Sequence, residues 1–211
     1  GGEIRRINVE IAPLEVAEYK QLKKTGIGTV VLFQETYHHE TYKMMHPSGP
    51  KKDYARRLTA MHRAQEGGVD DVGIGALFGL YDYKFEVLGL LLHALQLEKD
   101  CGVGPHTISI PRLEPALNAP AAIKPPHPVS DQDFKKLVAI IRMAVPYTGM
   151  ILSTRETPKM RDEVFALGIS QISAGSRTNP GGYQDDSSDA FRAAQFNLGD
   201  TRTLDEVILD I

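Results

Sequence analysis

The 211-residue chain contains a single cysteine, Cys101. One cysteine excludes a disulfide within the chain and any metal site built from several cysteines of the chain, and it fits a reducing, cytoplasmic compartment. Excess positive charge is also missing. Lys and Arg number 24 against 27 Asp and Glu, a formal net charge of −3, so there is no basic footprint for nucleic acid. Long hydrophobic runs are absent too, since none reaches the roughly 18–20 residues of a membrane span. The longest, residues 87–97, is interrupted by Gly89 and His93 and has the length of a helix. No segment reads as a signal peptide, and no membrane partner is expected. What remains is a composition 42% hydrophobic and 24% charged, ordinary for a globular protein and long enough for one domain with a core.

Six strand patterns are present, at about residues 5–11, 28–34, 71–78, 106–112, 149–154 and 169–175. Helical patterns alternate with them. Residues 14–24 carry Val16, Tyr19 and Leu22 on one face; residues 54–65 stop at Gly67 and Gly68; residues 85–98 are the most apolar. Residues 131–143 open on Ser130 as an N-cap and align Phe134, Leu137, Val138 and Ile141, and residues 159–167 stop at Gly168. Such alternation predicts βαβ units, a parallel sheet and right-handed crossovers. Residues 114–130 are rich in Pro and Ala and predict a long loop. Residues 179–200 are polar and Gly-rich and predict a weakly structured surface excursion.

A doubly wound sheet and part of a (βα)8 barrel both satisfy this order. The first would carry a phosphate loop after an early strand. "GIGALFG", residues 73–79, resembles one only superficially, because it lies inside a strand pattern. The barrel accounts for the polar groups gathered where strands end: Gln34 and Glu35, Tyr81 and Asp82, Arg112, Ser153 with Thr154 and Arg155, and Ser173 with Ser176 and Arg177. Barrel enzymes place their sites on that edge. Six strands fall short of the eight of a closed barrel, so the wall is expected to be incomplete, with open edges at the first and last strands that invite a homodimer or other segments of the same protein.

Several residues stand out chemically. Glu35 ends an apolar strand, where a carboxylate needs a partner; a diol suits it, and so does Arg56 or Arg57. Gly73 and Gly75 weaken a strand unless something approaches closely, either a flat ring or tight barrel packing. Arg155 with Ser173 suits a carboxylate, and a salt bridge to Glu156 or Glu114 is the competing role. His106 opens a strand, where an imidazole can rest in a core. His38, His39 and His46 lack an acidic partner at a familiar ligand spacing and suit a polar rim better than a metal.

The segments "QETYHHETY" (34–42), "HPSGPKKDYARRLTAMHRA" (46–64), "DDVGIGALFGLYDYKFEVLGLLLHA" (70–94), "GVGPHTISIPR" (102–112), "LSTRE" (152–156) and "NPGGY" (179–183) together resemble the HydG family. These are radical S-adenosylmethionine (SAM) tyrosine lyases that mature [FeFe]-hydrogenase. ThiH, the paralogous 2-iminoacetate synthase of thiamine biosynthesis, shares QETYH, STRE and PGGY and is the alternative. The resemblance implies a radical SAM TIM-type barrel of parallel βα units. It also implies a lyase whose [4Fe-4S] cluster cleaves SAM so that L-tyrosine is split into p-cresol and dehydroglycine, the latter then yielding CO and cyanide for hydrogenase H-cluster assembly. By resemblance, Gln34, Glu35, Tyr37, Arg57, Gly73 and Gly75 bind SAM, Arg155 with Ser173 and Ser176 holds the tyrosine carboxylate, and His106 ligates the labile iron of an auxiliary cluster; no catalytic residue is assigned. The cluster-binding cysteines of the family are missing. The resemblance therefore implies an internal fragment, with residues 1–178 a partial barrel and 179–211 an extension toward a C-terminal cluster domain. Such a piece is expected to be inactive alone. A cluster-free binding module is the rival from another class.

Overall fold

The computed structural model describes residues 6–116, 119–179 and 194–211. Six strands, β1 (Asn8–Glu10), β2 (Thr29–Glu35), β3 (Asp71–Ala76), β4 (Thr107–Ser109), β5 (Gly149–Leu152) and β6 (Gln171–Ile172), lie in sequence order in one sheet, and each adjacent pair is parallel. Every predicted strand is present; β2 is shifted by one residue and the others are shortened. The crossovers are helical: α1 (Val16–Lys23), α2 (His39–Met45), α3 (Tyr54–Leu58), α4 (Ala60–Glu66), α5 (Tyr83–Cys101), α6 (Pro120–Ile123), α7 (Asp131–Ala144) and α8 (Pro158–Phe165). A last helix, α9 (Leu204–Asp210), follows the final strand.

The sheet curls. Asn8 and Glu10 from the first strand, Phe33, Ser109 and Ile151 from the middle strands, and Ser173 after the last all line one cavity. A flat sheet of six strands would hold its two edges far apart, at about 4.8 Å per strand. Among the described residues, β1 and β6 each pair on one side only. The structure is thus an incomplete TIM-type barrel wall of six parallel βα units.

Strand alternation sorts the residues into two sets. Val30, Leu32, Val72, Ile74, Ile108, Met150 and Leu152 face the helix layer and are buried against Met61, Ala64, Leu90, Leu97, Phe134, Leu137 and Ile141. Complete burial of one such Leu or Ile contributes about 1.5–3 kcal/mol, so the core lies between sheet and helices, with the cavity on the other face. The helix boundaries follow from capping. Ser130 accepts from the Asp133 N–H at 3.1 Å to open α7. Asp82 accepts from the Lys84 N–H at 2.8 Å to open α5, which Gly102 closes in the left-handed conformation.

Three sequence expectations are revised. Residues 54–65 form two helices, α3 and α4, meeting at Thr59, rather than one. The 114–130 loop contains the short helix α6. Residues 194–200, expected to be weakly structured, are fastened to the barrel. Gly199 and Asp200 donate their N–H groups to Thr154 O at 2.9 and 3.0 Å, and the Asp200 carboxylate is buried against Arg161 and Arg202. The rest of that excursion, with most of "NPGGY", lies outside the described residues.

Candidate active site

At Phe33–Glu35 the pairing of β2 with β3 shifts register, so that Gln34 is the extra residue of a bulge. Glu35 then takes φ 72°, the only non-glycine among the described residues in the left-handed region. Bulges re-aim side chains next to sites. Here Glu35 points into the cavity, while Gln34 turns into the helix layer, 2% exposed, its amide without a protein hydrogen-bond partner among the described residues. Gln34 thus does not line the cavity beside Glu35.

Arg57 supports the bulge. Its Nε donates to Phe33 O at 2.7 Å and its Nη2 to Glu35 Oε1 at 3.1 Å. Lys51 Nζ reaches the same oxygen at 2.6 Å. Glu35 Oε2 has no hydrogen bond among the described residues. The competing role for Glu35, pairing with an arginine, is real, yet it leaves one acceptor oxygen free at the cavity. Arg57 does not itself line the cavity.

Tyr37 also departs from expectation. It is 7% exposed and faces the helices, not the rim. Its hydroxyl shares a 3.0 Å hydrogen bond with His93 Nδ1, and its N–H donates to Glu86 at 2.7 Å. Glu86 also accepts from the Thr36 hydroxyl. Burial pushes the Tyr37 hydroxyl well above its ordinary pKa, raises the Glu86 carboxyl, and lowers His93 to about 4. Gly89 makes the contact possible, since a Cβ there would lie 2.5 Å from Tyr37 Cγ. Both interruptions of the apolar helix, Gly89 and His93, thus meet the same tyrosine.

Gly73 and Gly75 sit on the inner wall. A Cβ on Gly73 would come within 2.5 Å of Thr107 Oγ1 and 2.9 Å of Val31, and one on Gly75 within 2.7 Å of Ser109 O and 2.8 Å of Phe33. Tight packing inside the barrel therefore accounts for both glycines.

Across the cavity from Glu35 lies Arg155. Glu156, the partner weighed for it, is buried and taken by Arg112, which also holds Asp131 at 2.8 Å. The Arg155 guanidinium has neither an ion pair nor a hydrogen bond among the described residues. It lies 3.5 Å over the ring centroid of Phe196, and burial lowers its pKa although Glu114, Glu35 and Glu10 oppose this. Ser173 lines the same cavity; Ser176 does not. Two further lining residues, Glu10 and Phe196, escaped the sequence reading. Loss of water and the neighbouring Glu35 hold the Glu10 carboxyl above its usual range. Alternation along "NVEI" on an edge strand signalled Glu10, whereas Phe196 arrives from a segment folded back some forty residues later and gave no signal. The cavity volume is about 610 Å³.

His106 lies elsewhere, at the opposite, N-terminal end of the strands, in a second pocket with Asp70, Asp71, Glu98 and Tyr147. Its side chain is 43% exposed, 3.5 Å from Asp71 Oδ1, so it is not a core histidine. Among the described residues no three His, Cys, Asp or Glu side chains converge as a metal site. His38 stacks flat on Tyr81 at 3.7 Å and caps α2, His46 bonds Tyr42 O at 3.0 Å, and His39 meets Glu40.

Comparison with known proteins agrees with this architecture. Residues 109–211 match the Biotin and Thiamin Synthesis associated domain. The chain is 36% identical over 180 residues to 2-iminoacetate synthase of Escherichia coli strain K12, covering 85% of this chain and 47% of that protein. The Salmonella typhimurium counterpart is 35% identical over 181 residues, with the same coverage. The chain thus spans about half the length of the curated relatives it matches. Among solved structures, HydG, a maturase of the [FeFe]-hydrogenase, superimposes with a TM-score of 0.91 at 62% identity, over 98% of this chain and 44% of that one. HydG from Carboxydothermus hydrogenoformans gives 0.89 at 52% identity, over 98% and 46%. Methylornithine synthase, at 17% identity and a TM-score of 0.70, shares the fold alone. Identity to the HydG structures well exceeds identity to the 2-iminoacetate synthases, so over nearly its whole length this barrel wall of six parallel strands is similar to a segment of HydG.

Proposed function

We propose that these residues form the SAM- and tyrosine-binding wall of a tyrosine lyase whose whole protein serves [FeFe]-hydrogenase maturation. One observation carries this. A single cavity holds a carboxylate oxygen, Glu35 Oε2, on one side and a half-buried guanidinium, Arg155, on the other, and among the described residues the first has no hydrogen-bond partner and the second no counter-ion. A ribose diol fits the first and an amino-acid carboxylate the second, and the volume falls within the usual range of about 300–1,000 Å³ for ligand sites. SAM, when bound, supplies the hydrogen-abstracting chemistry. The chain's own residues position the reactants. Arg57 and Lys51 fix Glu35 for the ribose. Arg155, steadied by Phe196, orients the substrate carboxylate beside the Ser173 hydroxyl, which favours one geometry for attack. Glu10, an acid held above its usual range, faces the same space and suits the substrate ammonium.

A [4Fe-4S] cluster does not fit the residues present. One exposed cysteine on the outer helix layer cannot hold it, so no step is assigned to a cluster and no turnover is expected from these residues alone. Cleavage of tyrosine in the manner of 2-iminoacetate synthase is the second reading, favoured by the 36% identity to that enzyme. His106, at the far end of the strands, remains the candidate ligand for the labile iron of an auxiliary cluster. The single cysteine and the net charge of −3 favour a cytoplasmic protein that does not take nucleic acid as a partner; among the described residues no helix is long and apolar enough to cross a membrane.

Calorimetry with SAM and with L-tyrosine, separately, tests the proposal. Glu35→Gln should weaken SAM by about 1–2 kcal/mol and tyrosine little. Arg155→Met should weaken tyrosine by about 2–5 kcal/mol and SAM little. Equal weakening of both ligands by both variants, or no binding of either, would refute the assignment.

A further inference from the structure

The longest helix buries only one side. On α5, Val87, Leu90, Ala94 and Leu97 pack against the sheet, while Phe85, Leu88, Leu92 and Leu95 are 43, 62, 65 and 60% exposed. Their spacing of three, four and three residues is the seam of a two-helix coiled coil, not the scatter of isolated surface apolar residues. Ile140 and Met143 on the neighbouring α7, 43 and 75% exposed, widen the apolar surface.

We propose that this face is where two copies of the chain meet, with α5 pairing antiparallel to α5 of the second copy. Four layers then form about a two-fold axis near Leu90 and Leu91. Phe85 meets Leu95 of the second copy and Leu88 meets Leu92, each pair occurring twice, so every apolar side chain of the seam meets another. The same register brings Lys84 opposite Glu98 of the second copy, also twice. Neither residue has an ion-pair partner within the protein among the described residues. A parallel pairing brings no charge opposite its complement, so the charges select the antiparallel one. A membrane surface fits less well. The charges flanking the stripe are Asp82, Lys84, Glu98, Lys99 and Asp100, and a helix resting on anionic lipid would be flanked by Lys and Arg. The contact is also separate from the open sheet edges, because α5 backs β3, in the middle of the strand order.

One helix pair of 19 residues, widened by α7, sits at the low end of stable interfaces, about 1,200 Å² in total. The dimer should therefore be weak and reversible, with a dissociation constant on the order of micromolar.

Sedimentation equilibrium of the protein from about 1 to 100 µM, bracketing that value, should show monomer and dimer exchanging. Leu92→Glu should weaken the dimer about a hundredfold, with thermal melting of the monomer unchanged because the position is exposed. Lys84→Glu and Glu98→Lys should each weaken it about tenfold, and the double variant should return to within about threefold of the original. A monomer throughout the range, whether α5 is bare or covered by another segment or protein, would overturn the proposal. A dimer indifferent to Leu92→Glu, or a double charge swap without rescue, would do the same.

Discussion

His93 offers a quantitative check on how the segment after the β2 bulge is supported. Its ring is 7% exposed, bonded through Nδ1 to Tyr37, with Nε2 buried and without a protein partner among the described residues. Burial, and secondarily the stacked His62, lowers its pKa from 6.5 to about 4. Because the folded value lies below the unfolded one, the unfolded chain binds the extra proton between these pH values. Stability is fully present above pH 6.5 and falls as pH drops toward 4. At 1.36 kcal/mol per unit, the loss from pH 7 to pH 5 is about 2 kcal/mol, rising toward about 3 kcal/mol below pH 4. His93→Gln keeps a hydrogen-bonding group for Tyr37 but cannot titrate. Glu86, whose raised carboxyl acts with the opposite sign, and His46 and His106, lowered like His93, persist in both proteins and cancel in the comparison. Urea unfolding followed by far-ultraviolet circular dichroism at pH 7 and pH 5 should show the original protein losing about 2 kcal/mol more than the variant. An equal loss in both would refute the assignment of a neutral, buried His93.

Three further outcomes follow from the packing. Arg57→Ala should cost about 2–3 kcal/mol by leaving Phe33 O without its side-chain donor and Glu35 with Lys51 alone, whereas Lys51→Ala, at a half-exposed pair, should cost under about 1 kcal/mol; urea midpoints of the two variants decide it. Gly89→Ala should destabilise by about 1–3 kcal/mol despite the gain in helix propensity, because the methyl group enters the Tyr37 ring, and a more stable variant in thermal melting would contradict that contact. Asp200→Ala leaves Arg161 buried without its carboxylate and should cost about 3–5 kcal/mol; limited proteolysis should then cut first within residues 194–203.

The strands were legible because a parallel strand covered on one side by helices and on the other by the barrel wall reads as an apolar run, as "TVVLFQ" does. α7 was legible from its cap and its stripe. α2 was not, since "HETYKMM" is polar and held in place by the rim around it. α9 carried a signal that went unused: Thr203 and Glu206 form a capping box. The cavity-lining position of Arg155 followed from its place at a strand end. The burial of Tyr37 and Gln34 away from the cavity did not, because a bulge and a glycine in a distant helix decide which way they face, and neither is visible in the local pattern.

The same bulge explains why so many polar groups cluster after one apolar strand. Moving a single residue out of register gives consecutive side chains different tasks. Gln34 and Tyr37 go to the helix layer, and Glu35 goes to the cavity in a backbone conformation that most residues avoid, at a cost of order 1–3 kcal/mol. Arg57 offsets this by bonding the Phe33 carbonyl at the bulge and the Glu35 carboxylate together. Tyr37, Glu86 and His93 anchor the chain just beyond it. The polar residues that the sequence presents as one candidate site are, in the structure, one cavity-facing carboxylate and the apparatus that holds it there. The opposite wall repeats this division of labour. Arg112 takes Glu156, Arg161 takes Asp200, and among the described residues Arg155 is left with only an aromatic ring beneath it and the cavity in front. An ion pair at Arg155 would have been satisfied from within, as Arg112 and Arg161 are. The lack of a counter-ion among the described residues therefore sets Arg155 apart from the structural arginines, and it is this difference on which its proposed binding role rests.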